Sequence, residues 1–338
     1  MINLKRPRLI EVAKRASVSP ATVSRVLIHP ELVNDATRSR VRKVIVALGY
    51  RPNGMARALS NGQSRTVGFI VPTLDNAIFS RALQSMQTTL ASSGYHLLVA
   101  SSNYNQTAET EAIRALLERG IDALVLVGAE RARDAESLVA EAGIPIIVTW
   151  VEHDRWPSII IDNRQAGRLA TEHLLALGHR RIGVISLPVQ HNDRQRQRVE
   201  GLRQALADAG LSLPDAWALE RSTTAAGGRS GCAALLQMQI PPTAIVCCVD
   251  YQAVGAMIEV QARGLQVPQD ISIVGIDNLE LGEHLMPPLT TVLVPTGAIG
   301  ERAALQIIGR LSKQTMPQRE VLPIELVVRQ STAAIHHS

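Results

Sequence analysis

Apolar residues recur at two different periods along this chain, and the period changes near residue 66. In the first part the spacing is helical. Leu9, Val12, Ala13 and Ala16 mark one short helix, Val23, Val26 and Leu27 a second, and Val41, Ile45 and Leu48 a third. The punctuation agrees. Ser19 stands where an N-cap is needed, and Pro20 takes the first helical position, where its missing N–H costs nothing. Asn34 can cap the third helix, Asp35 suits its positive end and Gly49 closes it. Three amphipathic helices of this length bury one small core together. Helix, tight turn, helix is the helix-turn-helix arrangement, whose second helix lies in a DNA major groove.

From Thr66 onward short apolar runs alternate with helical segments. The runs are "TVGFIVP" (66–72), "HLLVAS" (96–101), "ALVLVG" (123–128), "PIIVTW" (145–150) and "SIIID" (158–162). The rhythm restarts with "RIGVISL" (181–187), "AIVCCVD" (244–250) and "ISIVGID" (271–277). Helices are expected from about Arg194 to Ala209, Ala225 to Gln237 and Tyr251 to Arg263. This is repeated βα, hence two similar parallel-sheet halves covered on both faces. "LTTVLVP" (289–295) and "VLPIELVVR" (321–329) read as returning strands that tie the halves together. Two open sheets facing each other leave a cleft at the carboxyl ends of their strands. Asp75, Asn76, Phe79, Ser101, Ser102, Trp150, Asp162, Asn163, Asp250 and Asp277 fall there. Asp162 and Asp250 read equally well as helix caps, and Trp150 as core.

Charge divides the chain at the same place. Residues 1–65 hold 13 Lys/Arg against three acids, a net +10, which leaves −5 for the rest of a chain whose total is +5. A basic unit on an acidic body points to a polyanion partner for the first part alone. At 338 residues two or three domains are expected. No window approaches the length of an apolar membrane span, and the N-terminus lacks the apolar core of a signal peptide, so a cytoplasmic protein is expected. Cys232, Cys247 and Cys248 fit neither a disulfide framework nor a zinc pattern. His173 and His179 have no third ligand near, so no metal site is expected. The phosphate-loop, dinucleotide, nucleophile-elbow and zincin motifs are all missing, which argues against an enzyme. A sugar-binding transport protein without DNA function is the alternative, and the basic headpiece speaks against it.

"EVAKRASVSPATVSRVL" followed by "ALGYRPNGMARALSNGQS" resembles the headpiece of the LacI/GalR family of bacterial transcriptional regulators. "ATEHLLALGHRRIGVIS", "DISIVGIDN" and "PPLTTV" resemble the periplasmic-binding-protein-like body of the same family. The resemblance implies a headpiece over 1–52, a hinge helix and linker over 53–65, and a two-lobed effector-binding and dimerisation domain over 66–330. It implies a homodimeric repressor on palindromic double-stranded operator DNA, with no cofactor beyond a small-molecule effector, a sugar or sugar acid. Pro20 and Ala21 hold the positions that often read bases, and neither has a polar side chain. Polar reading then falls to Arg25, which can grip guanine bidentately, with Thr22 and Ser24 at phosphate or base edges. Arg8, Asn34, Thr37 and Arg38 are phosphate candidates. In the hinge, which starts near Asn53, Leu59 would wedge into the minor groove beside Met55 and Ala56, with Arg57 on phosphate.

In the body, the resemblance makes Arg198 the arginine that grips ligand hydroxyls or carboxylate. It makes Asp277 the acceptor of ligand hydrogens, and Phe79, beside Asn76, a wall. Trp150 stands where many sugar-binding members carry aspartate, so a hydroxyl acceptor gives way to a stacking face. Val249 likewise stands where some members offer Asn. "NAIFSRALQSMQTTL" is expected at the dimer contact, where Leu83 and Met86 face either the partner or their own core. The end of the chain has no leucine heptads, which disfavours a tail-mediated tetramer.

Overall fold

A computed structural model describes residues 7–50 and 63–335. The chain divides into two compact units between Arg65 and Thr66. In the first, α1 (Leu9–Arg15), α2 (Pro20–Ile28) and α3 (Asp35–Leu48) pack around Val12, Ala13, Ala16, Val23, Val26, Val41 and Tyr50. The caps are those the residues call for. Ser19 Oγ accepts from the Thr22 N–H at 3.1 Å, and Asn34 Oδ1 from the Thr37 N–H at 2.8 Å. Gly49 ends α3 at φ +60, a left-handed conformation that glycine adopts without strain.

The body holds two six-stranded sheets. The first runs β11-β5-β4-β3-β1-β2, from β1 (Thr66–Val71), β2 (His96–Ser101), β3 (Ala123–Val127), β4 (Ile146–Trp150), β5 (Ser158–Ile160) and β11 (Arg319–Val321), all parallel. Around it lie α4 (Ala77–Ser92), α5 (Gln106–Glu118), α6 (Arg133–Glu141) and α11 (Thr296–Leu311). The second runs β12-β10-β9-β8-β6-β7, from β6 (Ile182–Ser186), β7 (Ala218–Glu220), β8 (Ala244–Cys247), β9 (Ser272–Asp277), β10 (Thr290–Leu293) and β12 (Glu325–Val327). Only the β10–β12 pair is antiparallel. Its helices are α7 (Asn163–Ala176), α8 (Asp193–Asp208), α9 (Ala225–Leu236) and α10 (Asp250–Ala262). The central strands are buried on both faces, as near-continuous apolar runs require.

The chain passes between lobes three times: after β5, after β10 and between β11 and β12. The single returning strand expected over 321–329 is therefore two short strands in different sheets. Pro323 lies between them and cannot donate to a ladder, so pairing stops on either side of it. Helix α11, which packs on α4, and the short edge strand β7 are absent from the sequence reading. Met86 is fully buried in its own lobe and Leu83 packs against the same core. Met86 thus takes the intramolecular of its two expected places.

Candidate functional site

The first unit presents α2 with its apolar side inward: Val23 and Val26 are buried, while Pro20, Ala21 and Arg25 are exposed. Ser24 is half-buried, and the half-buried Thr22 has its hydroxyl 2.9 Å from Ser19 Oγ, so it helps close the cap. Arg8 immediately precedes α1 and is exposed. Asn34 is committed to its cap. Arg38 pairs with Asp35 and donates to the Pro30 carbonyl at 3.2 Å, which ties the turn before α3 to that helix. Arg25 is the one long cation on the outer face of α2.

In the body, Arg198 projects from α8 and is 2% exposed. Its backbone carbonyl lies so close to Gly167 of α7 that a Cβ there would collide with it, and this close crossing sets where the guanidinium points. Nη1 donates to the Cys248 carbonyl at 2.6 Å and to Asp277 Oδ1 at 3.3 Å, and Nε donates to Asn163 Oδ1 at 3.2 Å. Asn163 Nδ2 donates in turn to the Trp150 carbonyl at 2.9 Å. One chain of bonds thus runs from the end of β9, through α8 and α7, to the end of β4 in the other lobe. The Trp150 ring meets Phe79 edge-on at 5.3 Å. Burial raises the Asp277 pKa, with Arg198 opposing. Asp250 is raised by burial too. It starts α10 without capping it, and accepts from Thr291 Oγ1 at 2.6 Å and the Leu279 N–H at 2.7 Å. Asp162 does cap, accepting from the Gln165 N–H. Asn76 likewise caps α4 through the Ile78 N–H. Burial pushes the Cys248 thiol up to about 12, which leaves it inert.

Backbone strain concentrates at the same strand ends. Left-handed φ occurs at Asn103 and Tyr104 after β2, Trp150 at the end of β4, His191 after β6, and Asp277 and Asn278 at β9. Non-glycine residues keep such angles only where surroundings enforce them, and such sites cluster at ligand clamps. Across the mouth, Asp193 at the start of α8 accepts from the N–H groups of Ala129 at 2.6 Å and Glu130 at 3.3 Å, in the loop after β3. Arg196 pairs with Glu130, and Gln106 lies 3.2 Å from His191. Arg194 Nη1 holds Asp193 at 2.9 Å and lies where a Cβ on Gly128 would be. Arg131 donates to the Gly128 carbonyl at 2.7 Å and so stiffens the receiving loop. The cavity left beside Tyr104, Ser102, Glu109 and Arg194 measures about 30 Å³, room for a water. Glu109, at this cavity, has its pKa raised by burial, with Arg131 opposing.

A helix-turn-helix unit, then, is joined to a two-lobed body whose cleft is lined by strained, buried polar groups. Residues 8–53 match the family model of bacterial regulatory proteins of the lacI family. Residues 64–329 match that of periplasmic binding proteins and the sugar-binding domain of the LacI family. The chain belongs to the LacI family. It is 33% identical over 329 residues to the HTH-type transcriptional repressor CytR of Escherichia coli, with 96% of each chain covered. It is 30% identical to the ribose operon repressor of Haemophilus influenzae, covering 95% of this chain and 97% of that one. Among solved structures, the lac repressor dimer bound to operator and the anti-inducer ONPF matches with a TM-score of 0.86 at 29% identity, over 98% of this chain and 100% of that one. The protein is a DNA-binding transcriptional regulator with an effector-type body, and not an enzyme. Among the described residues no helix is long and apolar enough to cross a membrane, and no His/Cys/Asp/Glu cluster could hold a metal ion.

For this LacI-family chain the structure brings together Phe79, Trp150, Arg198 and Asp277, and adds Asn163 as the link between lobes. Asn76 is spent on its helix. Asn53, Met55, Ala56, Arg57 and Leu59 lie outside the described residues. Sequence reasoning missed Tyr104 and the clasp of Asp193, Arg194, Arg196 and Glu130. Arg194 was findable, since it stands four residues before Arg198 on the same helical face. Asp193 was not, because its partners are backbone N–H groups more than sixty residues away.

Proposed function

We propose that the chain is a homodimeric repressor acting in the cytoplasm on a near-palindromic operator, controlled by a sugar or sugar acid held between the lobes of each body. In each half-site α2 lies in the major groove, with Arg25 on a guanine, Ala21 against a thymine methyl, and Arg8, Thr22 and Ser24 at the backbone. The segment 53–65 serves as hinge, and Leu59 wedges the minor groove. The effector contacts Phe79, Trp150, Arg198 and Asp277. Its preference for one lobe arrangement alters the spacing of the two headpieces, and by linkage it acts only as far as that preference goes.

The observation that carries this reading is the buried bond chain from Asp277 through Arg198 and Asn163 to Trp150, which couples the two lobes at their strained strand ends. The test is a gel shift on candidate palindromic operators, with and without metabolites, for wild type and Arg198→Ala. The expected result is a specific shift that a metabolite alters in wild type and not in the variant. A variant that responds at the same metabolite concentration removes Arg198 from the pocket.

A further inference from the structure

Helix α3 has a second face, turned away from the headpiece core. Val41 is buried, and Val44, Ile45 and Leu48 pack against the same small core with α1 and α2. On the opposite side Ser39, Arg42, Lys43, Val46 and Ala47 recur at steps of three and four residues, and all are exposed. An open groove of about 650 Å³ runs along this side, from Asp35 and Arg38 at its start to Val46 and Ala47 at its end. Val46 is 80% exposed, more than any other large apolar residue of the described headpiece.

The charge on this face is also unmatched. Among the described residues Arg42 and Lys43 form no ion pair and no side-chain hydrogen bond. The positions three and four residues from them hold Arg38, Ser39, Arg40, Ile45, Val46 and Ala47, and no acid. Neither cation serves the helix dipole, since the last turn of α3 has no basic residue. Helices of the body differ: Arg168 on α7 pairs with Glu172 and Asp208, and Arg229 on α9 with Glu259 on α10. Asp35 already matches Arg38 at the start of the groove, so the open charge is confined to the half that holds Val46. DNA phosphate would satisfy two cations, but it offers no carbon to an exposed valine beside them.

We propose that this face of α3 docks an acidic amphipathic helix of a second protein. One apolar side chain of that helix packs on Val46 and Ala47, and carboxylates on its flanks pair with Arg42 and Lys43, as in other helices laid into grooves. Helix α2 packs on the core side of α3 and presents Pro20, Ala21 and Arg25 on its own outer face. A partner on the α3 face therefore leaves α2 free for DNA, and it meets the regulator at the operator. That placement rests on α2 being the DNA-reading helix; the groove itself does not.

The test is fluorescence anisotropy on the full chain, free and bound to an operator duplex. The probe is a labelled synthetic helix as long as α3, with leucine along one face and glutamate on both flanks. A version with lysine for every glutamate is the control. The acidic probe should bind both forms of the protein, and the lysine version neither. Val46→Ser keeps every charge and should weaken the acidic probe about tenfold. Arg42→Gln with Lys43→Gln should weaken it at least as much, and each variant should keep wild-type operator affinity. No binding of the acidic probe, equal binding of the lysine version, or wild-type probe affinity in Val46→Ser would overturn the proposal. Displacement of the probe by the duplex, with operator affinity lost in the double variant, would make the face a phosphate contact and overturn it too. A chain that binds the probe through Val46 but shifts no operator sinks the DNA reading of α2 and leaves the groove standing.

Discussion

Asp193→Asn is the sharpest perturbation of lobe closure. The Asp193 carboxylate makes two kinds of contact. Its bonds to the Ala129 and Glu130 N–H groups, at 2.6 and 3.3 Å, cross between lobes. Its pair with Arg194, at 2.9 Å, stays within one lobe and survives opening. Only the first kind bears on the balance between open and closed. Asparagine keeps the shape and one carbonyl acceptor but loses the charge. Charge-assisted bonds of this sort contribute about 1.5–3 kcal/mol, so the closed-to-open ratio should fall by a factor of about 10 to 150. Overall stability should fall as well, since Arg194 is left buried without its carboxylate. Two assays separate these effects. Fluorescence transfer between labels on the two lobes reads opening, and urea denaturation reads stability. A lower urea midpoint with an unchanged interlobe distance distribution would show that Asp193 supports α8 without holding the cleft shut, and the clasp idea would fail.

Three further outcomes are expected. Arg25→Ala should cost about 1–3 kcal/mol of operator affinity and relax preference at one base pair; equal selectivity across operator variants refutes its base-reading role. Gly201→Ala places a methyl group against the Arg164 carbonyl at the α7–α8 crossing, and should cost about 1–3 kcal/mol or more by urea denaturation, with a wild-type midpoint refuting the close-contact reading. His173 and His179 bond Thr332, Thr243, Ser272 and the Ala333 carbonyl, and burial lowers both pKa values below the ordinary 6.5. The unfolded chain therefore takes up protons first as pH falls, so stability is full above about pH 6.5 and declines as pH drops through the lower folded values. The urea midpoint followed from pH 7.5 to 5 checks this, and His179→Gln should flatten the profile.

Much of the architecture is legible in the residues because local chemistry and tertiary role coincide. Ser19, Pro20, Asn34 and Gly49 each act within one or two turns of where they stand, and all four do what their types dictate. The parallel strands are legible because burial on both faces leaves an uninterrupted apolar run. What escapes notice depends on distant backbone. The apolar run 321–329 gives no sign that its two ends pair in different lobes, since strand pairing is decided by neighbours far off in sequence. Trp150 reads as core or as a stacking face from its type, but that its N–H lacks a partner depends on φ +70 and on the packing of Phe79. Arg198 reads, by resemblance, as a fork for ligand hydroxyls or carboxylate. The fold spends it on Cys248, Asp277 and Asn163, and no property of "RQRVEG" foretells that.

The threefold passage of the chain between lobes has a consequence for inheritance. Neither lobe is a continuous stretch of the gene. The first needs residues from both sides of the second, and the nine residues from Arg319 to Val327 supply an edge strand to each. A frameshift or stop just ahead of Arg319 would therefore damage both sheets at once, and no cut of the coding sequence could release one lobe as a working half. The two lobes must be translated, exchanged and lost as one.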